Sequence, residues 1–514
     1  MICGGEVQKE KAFFVLGYSE KVPNATGETR TYLPPISIQI VIHCRTYRGE
    51  GRYRQNLRSE HRNWESVERK GSTRNVAYPP KAPWGVSVNG CKQKREFGAI
   101  TVKSPVAACS HIKSVQVRII TQADTVIVRF SGETGVKSEW TKRIYQKQLL
   151  ENIKYTLEAQ DLKPAKLVRM RGRIYIQTPK AAQTAQALTR VFGISSLSPA
   201  KQTTAETADI TQTALQAAEE AIEENTTFAV RCHRVGTHPY TSQDICRMLG
   251  EQILSHLQQK NPKVNLTTPQ ITLTVEIREQ EAYVYTQTIQ ASGGFPVGTQ
   301  AKTVCLLSGG IDSPVACWLT LKRGSPPTPI YIDNTPYTDE HARQKAIENA
   351  QQLSQWSAGK IRKMYIVPNG ENIKTIQQKT PAKFTCLLCK RLMYRIAQEI
   401  AQKENALGIV TGEAVGEQAS QTMHNLFVID QAATQMPIHR PLLGFDKLET
   451  EALAKKIGTY EISIKKEQGC TAAPSMPSTQ ARLNMVKDAE AALNITEMVK
   501  AALAATVVVD LKRD

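Results

Sequence analysis

From Val115 onward the chain alternates apolar and polar positions with regular periods. Val126-Ile-Val-Arg-Phe130 reads as a strand. Between Lys137 and Ala159, Trp140, Ile144, Leu149, Leu150, Ile153 and Leu157 fall at helical spacing and predict a long amphipathic helix. Leu167 to Ile176 alternates as a strand pair about Arg171-Gly172, and Ala181 to Val191 has a helical period. This β-α-β-β-α order predicts a small ferredoxin-like α+β domain. Residues 199–212 are polar and rich in Thr, Ala and Gln, which suits a domain boundary. Beyond them a helix (Ile210 to Glu224), a strand (Thr227 to Arg231), a helix (Ser242 to Gln259) and two strands (Ile271 to Ile277, Ala282 to Ile289) form a second α/β unit. Ser292-Gly-Gly-Phe-Pro-Val-Gly298 reads as a linker. From Thr303, apolar strand-like runs alternate with helices, the pattern of a doubly wound parallel α/β sheet. The predicted division is 1–115, 116–200, 201–298 and 299–514.

The leading segment has a different texture. Residues 1–115 show no sustained period apart from the apolar run Ile36 to Ile42, and Pro34-Pro35, Pro79-Pro80, Pro83 and Gly85 interrupt them. They carry 19 Lys+Arg against 9 Asp+Glu, a net of +10 within a chain total of +19. They read as a basic extension, either disordered or created by a start codon placed too far upstream; after Met1 the next methionine is Met170. The functional alternative is a nucleic-acid-binding arm. The other residues, 116–514, share the remaining +9. With 41% hydrophobic residues in 514, the chain can build packed cores, so wholesale disorder is excluded. No apolar run reaches the roughly 18 residues of a membrane span and no signal-peptide pattern opens the chain, so a cytoplasmic protein without a membrane partner is expected. Eleven cysteines in so long a chain are not a disulfide scaffold. In a reducing compartment, close pairs point to metal or redox chemistry.

The first chemical signal lies at Thr303-Val-Cys-Leu-Leu307, a buried-strand run followed by Ser308-Gly-Gly-Ile-Asp-Ser-Pro314 and then a helix from Val315 to Lys322. Glycines let backbone approach a phosphate, and free N–H groups at a helix start favour the anion. Ser308 and Ser313 add hydroxyl donors, and Asp312 could organise Mg2+. No Gly-Lys-Ser/Thr follows, so this is not a Walker loop. The run resembles the PP-loop of ATP pyrophosphatases, which cleave ATP between the α and β phosphates and adenylate a substrate.

Further runs occur in order: Tyr331-Ile-Asp-Asn334, Cys386-Leu-Leu-Cys-Lys-Arg-Leu-Met393, Thr411-Gly-Glu-Ala414, Ala419-Ser-Gln-Thr422, Arg440-Pro-Leu442 and Phe445-Asp-Lys447. Together they resemble the tRNA 4-thiouridine synthetases, the ThiI family of tRNA sulfurtransferases. Phe228-Ala-Val-Arg-Cys-His-Arg-Val-Gly-Thr-His238 with Gly293 to Gly298 resembles that family's THUMP RNA-binding domain and exit linker. Val126 to Phe130 with Gly132 to Lys137 resembles its ferredoxin-like domain. The resemblance runs from about residue 116 to the end, and the matching motifs include no C-terminal rhodanese domain of the kind some bacterial members carry. It implies that Leu306, Leu307, Ser308, Gly309, Gly310, Asp312, Ser313, Tyr331, Ile332, Lys390, Gly412 and Gln421 bind ATP. It also implies that Asp312 and Lys447 serve adenylation of the C4 carbonyl of a tRNA uridine, at position 8, which sulfur then replaces as AMP leaves. Physically, a carbonyl oxygen is a poor leaving group, and adenylation converts it into one that departs as AMP. Lys390 and Lys447 are point cations suited to phosphate charge.

Cys386-x-x-Cys389 opens a predicted helix, and the helix start with Lys390 and Arg391 beside it is expected to lower the thiol pKa values. Cys470 lies 81 residues later in Gln468-Gly-Cys-Thr471 and matches the family position whose cysteine handles sulfur. Thr471-Ala-Ala-Pro474 departs there from the usual second Cys or aromatic stretch. The C-x-x-C resembles archaeal members, in which three cysteines are implied to hold a [4Fe-4S] cluster with one open iron. Persulfide chemistry on Cys470, with a C-x-x-C cysteine resolving the disulfide, is the competing reading. A zinc site and simple burial are weaker ones. The other cysteines, Cys305 and Cys317 among them, read as packing residues.

Lys163, Lys166, Arg169, Arg171 and Arg173 fall within eleven residues, and strand alternation would put Arg169, Arg171 and Arg173 on one face as a phosphate track for tRNA. Arg231, Arg234 and His238 could extend it. The partners implied are tRNA, a sulfur donor (sulfide, or a persulfide carrier such as a cysteine desulfurase) and a second copy in a homodimer. The rivals are a PP-loop thiolase making a 2-thio base and a non-catalytic tRNA-binding protein with a vestigial ATP site.

Overall fold

The strand β1 (Thr125–Phe130) buries Val126 and Val128 on one face and Ile127 on the other, so it is covered from both sides. The computed structural model describes residues 123–170 and 172–511. The chain divides into two units, Met1–Lys103 and Ser104–Asp514, and every described residue lies in the second. The predicted basic extension, 1–115, and Arg171 lie outside the described residues.

With β2 (Lys166–Met170), β3 (Arg173–Gln177) and β4 (Ile194–Thr204), β1 forms an antiparallel sheet in the order β2-β3-β1-β4. Helices Glu139–Glu158 and Ala181–Leu188 cover one face through Leu149, Ile153, Leu157, Ala185 and Leu188. This is the predicted ferredoxin-like arrangement. Trp140 and Ile144 share the helical spacing but stay outside the core, 73% and 41% exposed, because the packed face runs through Tyr145, Leu149 and Asn152.

The polar stretch 199–212, expected as a domain boundary, is itself regular structure. It begins inside β4, whose last residues Lys201–Thr204 pair with β8 (Glu281–Tyr285), and continues into helix Thr207–Ala221. Its polarity reflects an edge-to-edge seam between two sheets. Strands β5 (Thr227–Val235), β6 (Lys263–Val264) and β7 (Ile271–Arg278) complete a nine-stranded sheet with β9 (Ile289–Gln290) attached to β4. Helices Thr207–Ala221 and Ser242–His256 pack on its second half.

After the linker, β10 (Thr303–Leu306), β11 (Pro327–Asp333), β12 (Lys363–Pro368), β13 (Ile409–Val410), β14 (Ile438–His439) and β15 (Val507–Asp510) form a sheet ordered β14-β13-β10-β11-β12-β15. All but β15 run parallel. The chain proceeds from β10 to one side, then returns to add β13 on the other. The order therefore reverses between β10 and β13, where a doubly wound sheet opens a crevice at its strand C-termini. Helices Gly370–Lys379 and Thr385–Lys403 cover one face, and Asp312–Lys322, Glu340–Ser354 and Lys447–Ile457 the other. Cys305 and Cys317 are fully buried as expected, but they are joined as a disulfide between β10 and the helix that follows it. Among the described residues no helix is long and apolar enough to cross a membrane.

The two halves are locked together. Asn152 Nδ2 donates to the Val297 carbonyl at 3.0 Å, Gln300 Nε2 to Tyr145 Oη at 2.9 Å, and Arg323 pairs with both Glu133 carboxylate oxygens at 3.0 Å. Gly294 sits at φ +70°, and a Cβ there would lie 2.2 Å from the Lys322 carbonyl oxygen. Gly294→Ala is expected to cost about 2 kcal/mol and lower the melting temperature by several degrees. Thermal unfolding followed by circular dichroism checks this, and an unchanged midpoint contradicts the close approach.

Candidate active site

Helix Asp312–Lys322 begins with no side-chain cap, so its first backbone N–H groups are available to a ligand. The preceding loop folds on itself: Ser308 N–H donates to Ser313 Oγ at 2.8 Å, the two serine hydroxyls lie 2.9 Å apart, and Gly310 N–H donates to Ser308 Oγ at 3.2 Å. Gly412, just past β13, packs against the helix start; a Cβ there would be 2.6 Å from the Ser313 nitrogen. The β10/β13 crevice opens here into a cavity of about 500 Å³. Every residue named above for ATP lines it, from Leu306 at the end of β10 to Gln421. Gln421 Oε1, among its lining residues, is buried without a hydrogen-bond partner, an unmet demand that a polar ligand would satisfy.

Lys447 stands at the first position of its helix and bonds Asp312 through both carboxylate oxygens, at 2.9 and 3.1 Å, and Glu417 at 2.5 Å. Burial pushes the Asp312 carboxyl up, against the pull of Lys447. Lys390 Nζ reaches Glu413 at 3.0 Å. Glu413 also accepts from Tyr394 Oη at 2.5 Å, Arg440 Nε at 2.8 Å and Thr411 Oγ1 at 3.1 Å. Burial opposes its charge, but Lys390 and Arg440 outweigh that and hold the carboxyl at about 2. Arg440 is itself paired with Asp430. Sequence reasoning assigned no role to Glu413, Tyr394 or Arg440; the signal was a carboxylate placed beside Gly412, at the end of an apolar strand.

Cys386, Cys389 and Cys470 all line the same cavity. The expected low thiol pKa values are not found. Burial pushes Cys389 up to about 12 and raises Cys386 as well, with Cys470 adding to the rise and Lys390 opposing it. Arg391, the second expected cation, turns away into a buried pair with Glu490. Asn369 Nδ2 approaches Cys389 Sγ at 3.5 Å. Among the described residues no group of three or more His, Cys, Asp or Glu side chains is placed to hold a metal ion.

A second, basic cleft of about 760 Å³ lies where the two parts of the nine-stranded sheet meet. Arg129, Arg173, Arg231, Arg234 and Arg278 line it around the buried Glu276. Glu276 pairs with Arg129 at 3.5 Å, Arg173 at 3.3 Å and Arg278 at 2.7 Å and accepts from Tyr175 Oη at 3.0 Å. The single-face track of Arg169, Arg171 and Arg173 is not what forms. The β2–β3 turn pairs Met170 with Arg173 and Arg169 with Ile174, so Arg169 and Arg173 project from opposite faces. Arg171 lies outside the described residues.

Comparison with known proteins agrees with this geometry. Three family models match in series: a ThiI ferredoxin-like domain over 125–198, a THUMP domain over 204–287, and "Thiamine biosynthesis protein (ThiI)" over 298–495. A probable tRNA sulfurtransferase of Methanosarcina acetivorans is 40% identical over 395 residues, 76% of this chain and 94% of the relative. The chain belongs to the ThiI family of tRNA sulfurtransferases. A probable tRNA sulfurtransferase of Methanothermobacter thermautotrophicus is 38% identical over 74% of this chain and 96% of its own. The crystal structure of a 4-thiouridine synthetase–RNA complex with bound ATP superposes with a TM-score of 0.70 at 31% identity, covering 76% of this chain and all of that one.

In this ThiI chain the Glu413 network predicts a pH signature. A carboxyl held at about 2 when folded, against an ordinary value near 4.5, stabilises the fold above pH 4.5, and that contribution fades as pH falls toward 2. Glu413→Gln should therefore cost roughly 3 kcal/mol at pH 7 and progressively less below pH 4. Paired urea titrations at pH 7 and pH 3.5 measure the closing gap; a pH-independent gap contradicts it.

Proposed function

We propose that the chain is an ATP-dependent tRNA sulfurtransferase that converts the uridine at position 8 of tRNA to 4-thiouridine. The observation that carries this reading is one cavity walled by an uncapped phosphate-binding helix start, a lysine at its rim and a sulfur-bearing loop. The triphosphate binds the loop N–H groups, with Lys390 and Lys447 as cations. Asp312 is the carboxylate at the helix start that would hold a magnesium ion, which would offset phosphate charge there. The uridine C4 oxygen attacks the α-phosphorus, a C4–O–P linkage forms, the bond to the β-phosphate oxygen breaks, and pyrophosphate leaves.

Sulfur transfer is assigned to thiols. A carrier such as a cysteine desulfurase loads Cys470, which is exposed, as a persulfide. Its terminal sulfur attacks C4, the C4–O bond breaks, and AMP departs with the electron pair. Cys386 as thiolate then attacks the Cys470 sulfur and releases 4-thiouridine, leaving a Cys386–Cys470 disulfide that an external dithiol reduces. Three thiols on one cavity are also what an iron–sulfur cluster would use, but as placed they do not form a ligand set. The basic cleft binds RNA phosphates. The protein works in the cytoplasm as a homodimer, without a membrane partner.

Nucleoside analysis of tRNA from a deletion strain should show loss of 4-thiouridine alone; loss of a 2-thio nucleoside instead contradicts the substrate. Cys470→Ser should abolish thiolation while ATP-dependent pyrophosphate release continues, and Lys447→Ala should slow that release by about 100-fold. Iron analysis of anaerobically purified protein separates the sulfur routes: iron-free active enzyme supports the persulfide, and activity that tracks iron content overturns it. Arg231→Glu with Arg234→Glu should weaken tRNA binding and flatten its salt dependence, with ATP affinity unchanged; unaltered tRNA affinity in gel-shift titrations rules out the cleft.

A further inference from the structure

Lys345 is a lysine at only 4% exposure on helix Glu340–Ser354, behind the phosphate loop. Its ammonium donates to the Lys465 carbonyl at 2.9 Å and pairs with Glu467 at 3.0 Å. One turn on, the fully buried Asn349 donates to Ser463 Oγ at 3.2 Å and toward the Ser308 carbonyl at 3.4 Å, while Ser463 Oγ donates to the Gly310 carbonyl at 3.1 Å. Residues 463–467 are thus fastened to the phosphate loop from behind. The next residues are fastened to the start of the same helix: Gln468 N–H donates to the capping Asp339 at 3.0 Å, and Thr471 N–H to the Tyr337 carbonyl at 2.9 Å. Cys470 lies inside this held segment.

Glu467 occupies a telling position. It lines the ATP cavity, and its carboxylate lies 3.0 Å from the place where a Cβ on Gly309 would be, so an anion already stands against the phosphate loop. A triphosphate entering the loop brings several negative charges next to that carboxylate and offers Lys345 a stronger partner. Like charges at this separation in a half-buried site repel substantially. Lys345 is fixed by burial and by its carbonyl contact, whereas Glu467 is the more exposed of the two and is the group that can leave.

We propose that Lys345 and Glu467 are a positioning pair that ties the Cys470 segment to the phosphate loop and frees it when the triphosphate of ATP takes the place of the Glu467 carboxylate. The inference rests on the ATP-site reading above. It orders the two half-reactions: the sulfur-bearing loop is released only when nucleotide is present to activate the uridine.

The test is binding of α,β-methylene-ATP, a non-cleavable analogue, to the full chain by isothermal titration. Removing a competitor of the phosphate should strengthen binding, a sign that general damage to the site would not produce. Glu467→Gln is expected to bind the analogue several-fold more tightly, Lys345→Met several-fold more weakly, and Lys345→Arg close to wild type. In parallel, the analogue should speed tryptic cleavage after Lys465 and Lys466 in the wild type, and Glu467→Gln should be cleaved fast with or without it. Unchanged or weaker binding by Glu467→Gln, or slower cleavage of the wild type with nucleotide, overturns the proposal. A wild type that binds no analogue overturns the ATP-site reading itself and the pair with it, so the two failures are told apart.

Discussion

The catalytic half is organised around an unmet demand. The helix that starts at Asp312 receives no side-chain cap from the residue before it, and it starts where the sheet order reverses. The loop before it supplies no cap either, because Ser308 and Ser313 spend their hydroxyls on each other and on loop N–H groups. Gly412 follows from the same constraint. Any side chain there would meet the Ser313 nitrogen and close the approach to the helix start. An anion is the one partner that fits dipole, donors and space together.

Around that donor set, buried carboxylates are used to place cations. Glu413 holds Lys390 at the cavity and is itself kept charged by Arg440. Glu276 does the same for Arg129, Arg173 and Arg278 in the basic cleft, where burial would raise its carboxyl and the arginines together keep it low. Removing one partner of such a pair is costly, but well-packed apolar residues in place of the whole pair would often hold the fold as well, so stability alone does not account for them. What they supply is direction: a cation on a long flexible stem is aimed at one place before any phosphate arrives, so less rotamer entropy is lost on binding.

The periodic parts of the chain were legible, and so was the phosphate loop, because both are local. The strand, turn and helix from Thr303 to Lys322 lie where spacing and motif put them, and the residues named for ATP all line one cavity. The losses came from tertiary context. Whether a two-residue turn keeps or flips the face of Arg173 relative to Arg169 depends on register, which local alternation cannot reveal. The helix start and Lys390 argued for reactive thiols at Cys386 and Cys389, and burial reversed that. The polar texture of 199–212 suggested a boundary, but local composition could not show that Lys201–Thr204 run across it as a strand paired with β8. Glu413 stood in a quoted run without a role, and Lys345 and Glu467 drew no notice, because each acts through residues distant in sequence.

The same distinction bears on charge. A net of +19 is a weak clue when +10 of it lies in residues 1–115. In the described part the excess is modest, yet five arginines line one cleft and a single glutamate engages three of them. Potential at a surface depends on how charges are held, more than on their sum. The Asn152, Gln300 and Arg323 contacts then fix that cleft relative to the phosphate loop. On the proposed function, a polyanion gripped in one place is thereby presented to the other at a set spacing. Substrate choice can then come from the rigidity of the span between the two sites, with base contacts needed only at the reacting end.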